Sequence, residues 1–184
     1  MDYNESKKTE LLYALIIYGF NHYLRFNSKD LFNVPVGKVD FSESLRKKTV
    51  EFVNEAKKYN AKFIVGSYLD EKLYSNCTQD SFVYFDPPYL VTTAPYNSQW
   101  SQKDDFELFS LIDKLTERGI KVAMSNVFLS NGKQNDELIK WSKKYNVHYL
   151  KRQYRNANYQ KVNVTDSVEV LITNYKLEDD ANGK

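Results

Sequence analysis

The sequence predicts an α/β fold built on an open sheet. Between Ala61 and Tyr175, apolar runs of strand length alternate with amphipathic runs of helix length. Two of the apolar runs stop on polar residues, Asp86 after "SFVYF" and Ser125-Asn126 after "IKVAM". In open α/β sheets ligands bind at the C-terminal ends of the strands, so both polar endings are placed on a functional edge. A length of 184 residues suits one domain with a real core, or a core plus a small insert, and 42% apolar with 27% charged residues is a globular balance.

"ESKKTELLYALIIYGF" reads as a helix with its apolar body from Leu11 and Gly19 near its end. "YLRFNSKDLFNVPVGK" carries two short apolar pieces around Asn27-Ser28-Lys29-Asp30 and reads as a hairpin or folded loop. A helix follows within Lys38 to Tyr59, with Ser42 or Ser44 as N-cap. "AKFIVGSY" and "SFVYFD" read as strands, and "DDFELFSLIDKLTERG" as a helix from Asp104 to Gly119. "IKVAMSN" is a third strand, "NDELIKWSKKYN" a helix, and "VHYLKRQY" and "DSVEVLITNY" the fourth and fifth strands. This divides the chain into residues 1–60, a helix-plus-hairpin region, residues 61–176, the α/β region, and a polar, disordered tail at 177–184.

Composition narrows the function. A net charge of +2 does not by itself argue for a polyanion partner, although a local basic patch can exist. Cys77 is the only cysteine and the two histidines, His22 and His148, lie far apart, which leaves no disulfide framework and no metal-ligand spacing. No apolar run reaches membrane-spanning length and "MDYNESKKTE" is not a signal peptide, so a soluble cytoplasmic protein is expected.

The stretch "SFVYFDPPYLVTT" carries the chemistry. Pro87 and Pro88 fix their own φ and offer carbonyls without N–H donors, and Asp86 is held extended by the proline after it. A carboxylate beside a proline carbonyl forms a rigid acceptor pair, whose complement is an amino group with two hydrogens such as adenine N6. Tyr89 adds a flat face for stacking. An aromatic amine is a poor nucleophile because its lone pair is delocalised. Two acceptors on its hydrogens favour the tetrahedral form and stabilise the charge that develops on attack. In a duplex the base must first be flipped out. The plain alternative is a strand-ending turn, since Asp and Pro are ordinary turn residues.

"VYFDPPYLVTTAPYNSQW" resembles motif IV and the following loop of Dam-type, D12 class DNA adenine-N6 methyltransferases, most closely the phage members. The resemblance continues through "RGIKVAMSNV", "WSKKYNV" and "EVLITNY", and back into "GFNHYLRFNSKDLFNVPVGK", which is similar to the family's target-recognition hairpin. It covers roughly Tyr18 to Tyr175, with several motifs in order. It implies a Rossmann-like class I methyltransferase sheet with a small helical and hairpin insert for target recognition. It also implies double-stranded DNA as substrate, S-adenosylmethionine as donor, S-adenosylhomocysteine as product, and no metal.

By that resemblance Asp86 and the carbonyl of Pro87 hold the target amine, with Pro88 completing the motif, and Tyr89 stacks on the adenine. Asp86 and Tyr89 also border the donor, with Tyr68 at its adenosine and Tyr96 enclosing the site. Arg25 matches an arginine that reads a guanine of GATC. The remaining DNA-contact candidates are Phe20, Asn21, His22, Tyr23, Asn27 and Pro35 on the hairpin, and Asn126 on the catalytic side. His22 and Tyr23 depart from the small and aliphatic residues usual there. Lys38, Lys151, Arg152 and Arg155 are candidates for phosphate contacts.

The family's lysine- and glycine-rich opening, its glycine loop after the first strand and its ribose-binding acid have no counterpart in this sequence, whose six glycines form no Gly-x-Gly pair. In the family order 3-2-1-4-5-7-6, only strands 3 to 7 are represented, and the missing pair belongs between "AKFIVGSY" and "SFVYFD". The expectation is a free edge on the motif strand and a second polypeptide that supplies the glycine-loop strands. The isolated chain is then expected to be inactive. A DNA-binding remnant without catalysis is the competing expectation, and methylation of an amino group in RNA or a protein glutamine is a third.

Overall fold

The computed structural model describes residues 2–38, 40–92, 100–150 and 167–177. The chain divides into two compact units, Met1–Val65 and Gly66–Lys184.

In the first unit the expected single N-terminal helix is two: α1 (Tyr3–Ser6) and α2 (Thr9–Tyr18). The break is at Lys7, which turns left-handed at φ 52° while its N–H closes on the carbonyl of Tyr3. Tertiary contacts favour the break over a continuous helix. The side chain of Asn4 accepts from Phe32 N at 2.7 Å and donates to Phe32 O at 3.3 Å. Tyr3 and Phe26 each pack edge-on to Phe32 and tilt against one another. These three rings form a small aromatic cluster in the expected hairpin region.

That hairpin takes the form of a folded loop pinned by two antiparallel bridges, Phe26 to Phe32 and Gly19 to Val36. Its tip is an Asx-type turn: Asn27 Oδ1 accepts from the amides of Lys29 and Leu31 at 2.9 and 3.1 Å. Its base is tied by Phe20 N to Pro35 O and Gly37 N to Tyr18 O. Gly37 is required there, because a Cβ would lie 2.8 Å from the carbonyl oxygen of Gly19.

Helix α3 (Glu43–Lys58) starts at Ser42, whose hydroxyl accepts from Leu45 N at 3.2 Å. None of its residues is buried, and Val50, Phe52 and Val53 are exposed. Beyond it Phe63, Ile64 and Val65 are 79%, 69% and 104% exposed. A groove of about 420 Å³ between Phe52, Val53 and Phe63 marks an uncovered apolar face. The strand expected over residues 61–68 is absent: no ladder forms there. An apolar run becomes a strand only when a neighbour satisfies its backbone, and none of the described strands pairs with it.

The second unit contains β1 (Phe82–Phe85), α4 (Gln102–Glu117), β2 (Lys121–Ser130), β3 (Lys133–Gln134), α5 (Asp136–Ser142), β4 (Asn146–Leu150) and β5 (Val168–Thr173). The sheet order is β1-β2-β5-β4, with the two-residue β3 paired to β2. β1 and β2 are parallel, while β5 is antiparallel to both β2 and β4. The core lies where α4 and α5 cover the sheet: Leu108, Leu115, Leu138, Val122, Met124, Val170 and Ile172 are almost fully enclosed. The central strand β2 is buried on both faces from Val122 to Phe128. β1 bonds only to β2 among the described strands, and Phe82 and Tyr84 are 57% and 53% exposed on its open face.

β2 also corrects an expectation. Ser125 and Asn126 do not end their strand, because pairing with β5 continues from Ala123 to Leu129 and carries the ladder past them.

Candidate active site at the end of β1

β1 stops at Phe85 and leaves Asp86 solvent-facing, with Pro87, Pro88 and Tyr89 half-buried behind it. These four residues line a concavity of about 280 Å³. The proline pair prevents the ladder from continuing, since neither residue has an N–H to give. β1 and β2 are in parallel register with Phe85 opposite Met124, so the next pair sets Asp86 beside Ser125.

That juxtaposition builds a hydrogen-bonded corner. Ser125 Oγ donates to Asp86 Oδ1 at 2.7 Å, and Tyr89 Oη lies 2.9 Å from the same oxygen and 3.2 Å from Ser125 Oγ. Both protein hydroxyls converge on Oδ1. Burial is the main cause that pushes the Tyr89 phenol above its ordinary range, which keeps it neutral and able to donate. The loop after it is fixed by Thr92, whose amide and hydroxyl both donate to Tyr89 O at 3.0 Å.

Tyr68 is half-buried against Trp100, with ring centroids 5.6 Å apart, and its hydroxyl donates to the carbonyl of Asp104. Burial, with the carboxylates of Asp104, Glu107 and Asp105 adding to it, pushes its phenol up to about 12. Tyr96 lies outside the described residues, as do Lys151, Arg152, Arg155 and positions 178–184 of the tail.

Trp100 is anchored by Asp105, a carboxylate that is 1% exposed and accepts from Trp100 Nε1 at 2.8 Å and Asn135 Nδ2 at 2.9 Å. Burial raises its pKa above the ordinary carboxylate value, against the pull of those two donors. The folded state therefore holds this proton more tightly than the unfolded chain. The stability it gives is full below the ordinary carboxylate value and is lost as pH rises through the elevated one. Asp105→Asn is expected to gain stability relative to the native chain between pH 4 and pH 7, checked by urea unfolding at both.

Asn126 sits in the body of β2, 2% exposed, with Oδ1 accepting from Val127 N at 2.7 Å. That enclosure sets Asn126 within the sheet and not at the exposed strand end expected for it. A hollow of about 460 Å³ between the 3₁₀ turn Glu71–Tyr74 and α4 offers no comparable chemistry. Its Arg118 is occupied by the carbonyls of Tyr74 and Cys77. Among the described residues no cluster of three or more His, Cys, Asp or Glu could hold a metal ion.

On the first unit, Arg25 is exposed and held in place: Nε donates to Asn33 Oδ1 at 3.0 Å and Nη2 to Asn33 O at 2.7 Å. Phe20 and Tyr23 are exposed rings in edge contact, with Asn21 and His22 between them in left-handed backbone. His22 Nδ1 lies 3.2 Å from Ile16 O, Pro35 is exposed, and Lys38 is exposed. Asn27 spends its side-chain oxygen on the turn. Sequence reasoning missed Asn33, Trp100 and Asp105, and placed Ser125 on the functional edge without its partner; all four act through contacts brought close only by folding.

The family model for D12 class N6 adenine-specific DNA methyltransferases matches residues 2–156. Type II methyltransferase M.FokI of Planomicrobium okeanokoites is 39% identical over 183 residues, covering 94% of this chain and 28% of the relative. Modification methylase StsI of Streptococcus sanguinis is 37% identical, covering 96% of this chain and 28% of the relative. The DNA adenine methylase of Vibrio cholerae is 38% identical over 119 residues, covering 59% of this chain and 40% of the relative. This chain therefore spans little more than a quarter of the length of the first two. Its sequence, matched along most of its length, belongs to the D12 class N6 adenine-specific DNA methyltransferase family.

Proposed function

We propose that this chain is the catalytic and target-recognition part of a site-specific DNA adenine-N6 methyltransferase acting at a GATC-like site. The observation that carries the reading is the Asp86 corner: a carboxylate with one oxygen fixed by two hydroxyls, beside two proline carbonyls and a ring, in a concavity at a strand end. Asp86 Oδ2 and the carbonyl of Pro87 accept the two amine hydrogens of a flipped adenine, and Tyr89 lines the base. S-adenosylmethionine supplies the methyl group when bound. The sheet order β1-β2-β5-β4 supports the reading, since it is the order 4-5-7-6 of the class I methyltransferase sheet.

Of the residues present, Asp86 and Tyr89 fit the donor on its methyl-facing side and Tyr68 at its adenosine. No Gly-x-Gly pair exists to let backbone amides approach it elsewhere. The edge of β1 that no described strand pairs and the bare face of α3 support a complement that supplies the glycine-loop strands, and we place it on a partner polypeptide. DNA as substrate favours a cytoplasmic location. Among the described residues no helix is long and apolar enough to cross a membrane.

Arg25 reads the target. Asn33 takes one hydrogen from Nε and one from Nη2, which leaves enough N–H groups for a two-point contact with guanine O6 and N7. Arg25→Ala is expected to cost about 1–3 kcal/mol of discrimination at one base pair and to leave binding to scrambled duplexes nearly unchanged. Competition binding with single-substituted sites measures it.

The reading as a whole is tested by co-expressing the chain with its neighbouring reading frame and following labelled methyl transfer to GATC and scrambled duplexes. Transfer by the pair alone is expected. Site-specific binding without transfer by either preparation overturns catalysis in favour of a DNA-binding remnant.

A further inference from the structure

We infer that Ser125 is a positioning residue for the reaction, which fixes the Asp86 carboxylate so that Oδ2, and not Oδ1, meets the target amine. The inference rests on the functional reading above and concerns a residue on a different strand from the Asp-Pro-Pro-Tyr motif. Asp86 stands at the exposed end of β1, where a carboxylate is free to rotate about its terminal bond. Ser125 is 9% exposed in the doubly covered β2, so its own side chain is held by packing. Its hydroxyl spans the 2.7 Å to Oδ1 and thereby transfers the rigidity of β2 to the acid.

Tyr89 completes the arrangement from the other side. Its hydroxyl reaches both Asp86 Oδ1 and Ser125 Oγ, so the three oxygens form a closed triangle. Two donors on one carboxylate oxygen bias the pair: the lone pairs of Oδ1 are engaged, while Oδ2 keeps its full capacity as acceptor. An amine that arrives with both hydrogens must then align with Oδ2 and the proline carbonyl together, and misalignment is costly in such a site. Thr at this position would keep the hydroxyl and suits a strand; Ala would remove it.

The test uses the complemented protein, with Ser125→Ala and Ser125→Thr. Ser125→Ala is expected to lower kcat roughly tenfold with KM for DNA within about twofold, and Ser125→Thr to restore most of the loss. A second readout needs no turnover: binding of duplexes with adenine or purine, which lacks the 6-amino group, at the target position. The native protein is expected to prefer adenine, Ser125→Ala to lose most of that preference, and Ser125→Thr to retain it. Native-like kcat and adenine preference in Ser125→Ala overturn the positioning role while leaving the function intact. So does equal loss in both variants, which marks Ser125 as merely structural. A native pair that neither transfers methyl groups nor prefers adenine overturns the functional reading and this inference with it.

Discussion

Asp86→Ala in the complemented protein is expected to lower methyl transfer by at least about 10²–10³-fold while duplex affinity stays within about threefold. The size follows from what the carboxylate does at the transition state. The amine gains positive charge as it attacks, and Asp86 is the one acidic residue among the described residues that line the concavity. The contact strengthens as charge develops, so its loss falls on kcat more than on binding. Asp86→Asn separates charge from shape, because it keeps one acceptor oxygen beside Ser125 and Tyr89. It is expected to retain more activity than Ala and far less than the native chain. Single-turnover transfer of labelled methyl groups, with filter binding of the same duplex, checks both variants.

The second large effect is stabilisation by the complement. α3 has no buried residue, Val65 is fully open, and β1 presents an edge that no described strand pairs, with Phe82 and Tyr84 exposed. Apolar surface of this kind gains by being covered, and a strand edge gains by being paired. A complement present at 100 times its Kd is expected to add about 2.7 kcal/mol to the stability of the chain. For a chain of this size that is a rise of roughly 5–10 °C in Tm. Phe52→Asp, on the bare face of α3, is expected to abolish most of the shift. A Tm that does not respond to the complement would mean that these surfaces belong to a self-sufficient fold.

The sequence displayed the candidate catalytic motif because the motif is local. Asp86, Pro87, Pro88 and Tyr89 are consecutive, and the prolines impose the strand end wherever the chain goes. The start of α3 was legible to within two residues, at Ser42 or Ser44, for the same reason, since a cap is written within three residues of what it caps. Ser125 was placed at the right strand but without its role, because its contact with Asp86 joins residues 39 apart. The expected end of β2 at Asn126 failed on β5, whose pairing no local pattern announces. The break at Lys7 depends on Asn4 reaching Phe32, and the run from Ala61 to Tyr68 reads as a strand but has no described neighbour to make it one. Local chemistry was readable, while pairing across the fold was not.

Base identification tests the central claim most directly. A GATC duplex is incubated with S-adenosylmethionine and the complemented protein, then digested to nucleosides and analysed by mass spectrometry. The account predicts N6-methyladenine as the only methylated nucleoside, present with the native chain and absent with Asp86→Ala. Methylation of cytosine or of a ring nitrogen, or N6-methyladenine undiminished by Asp86→Ala, would contradict it.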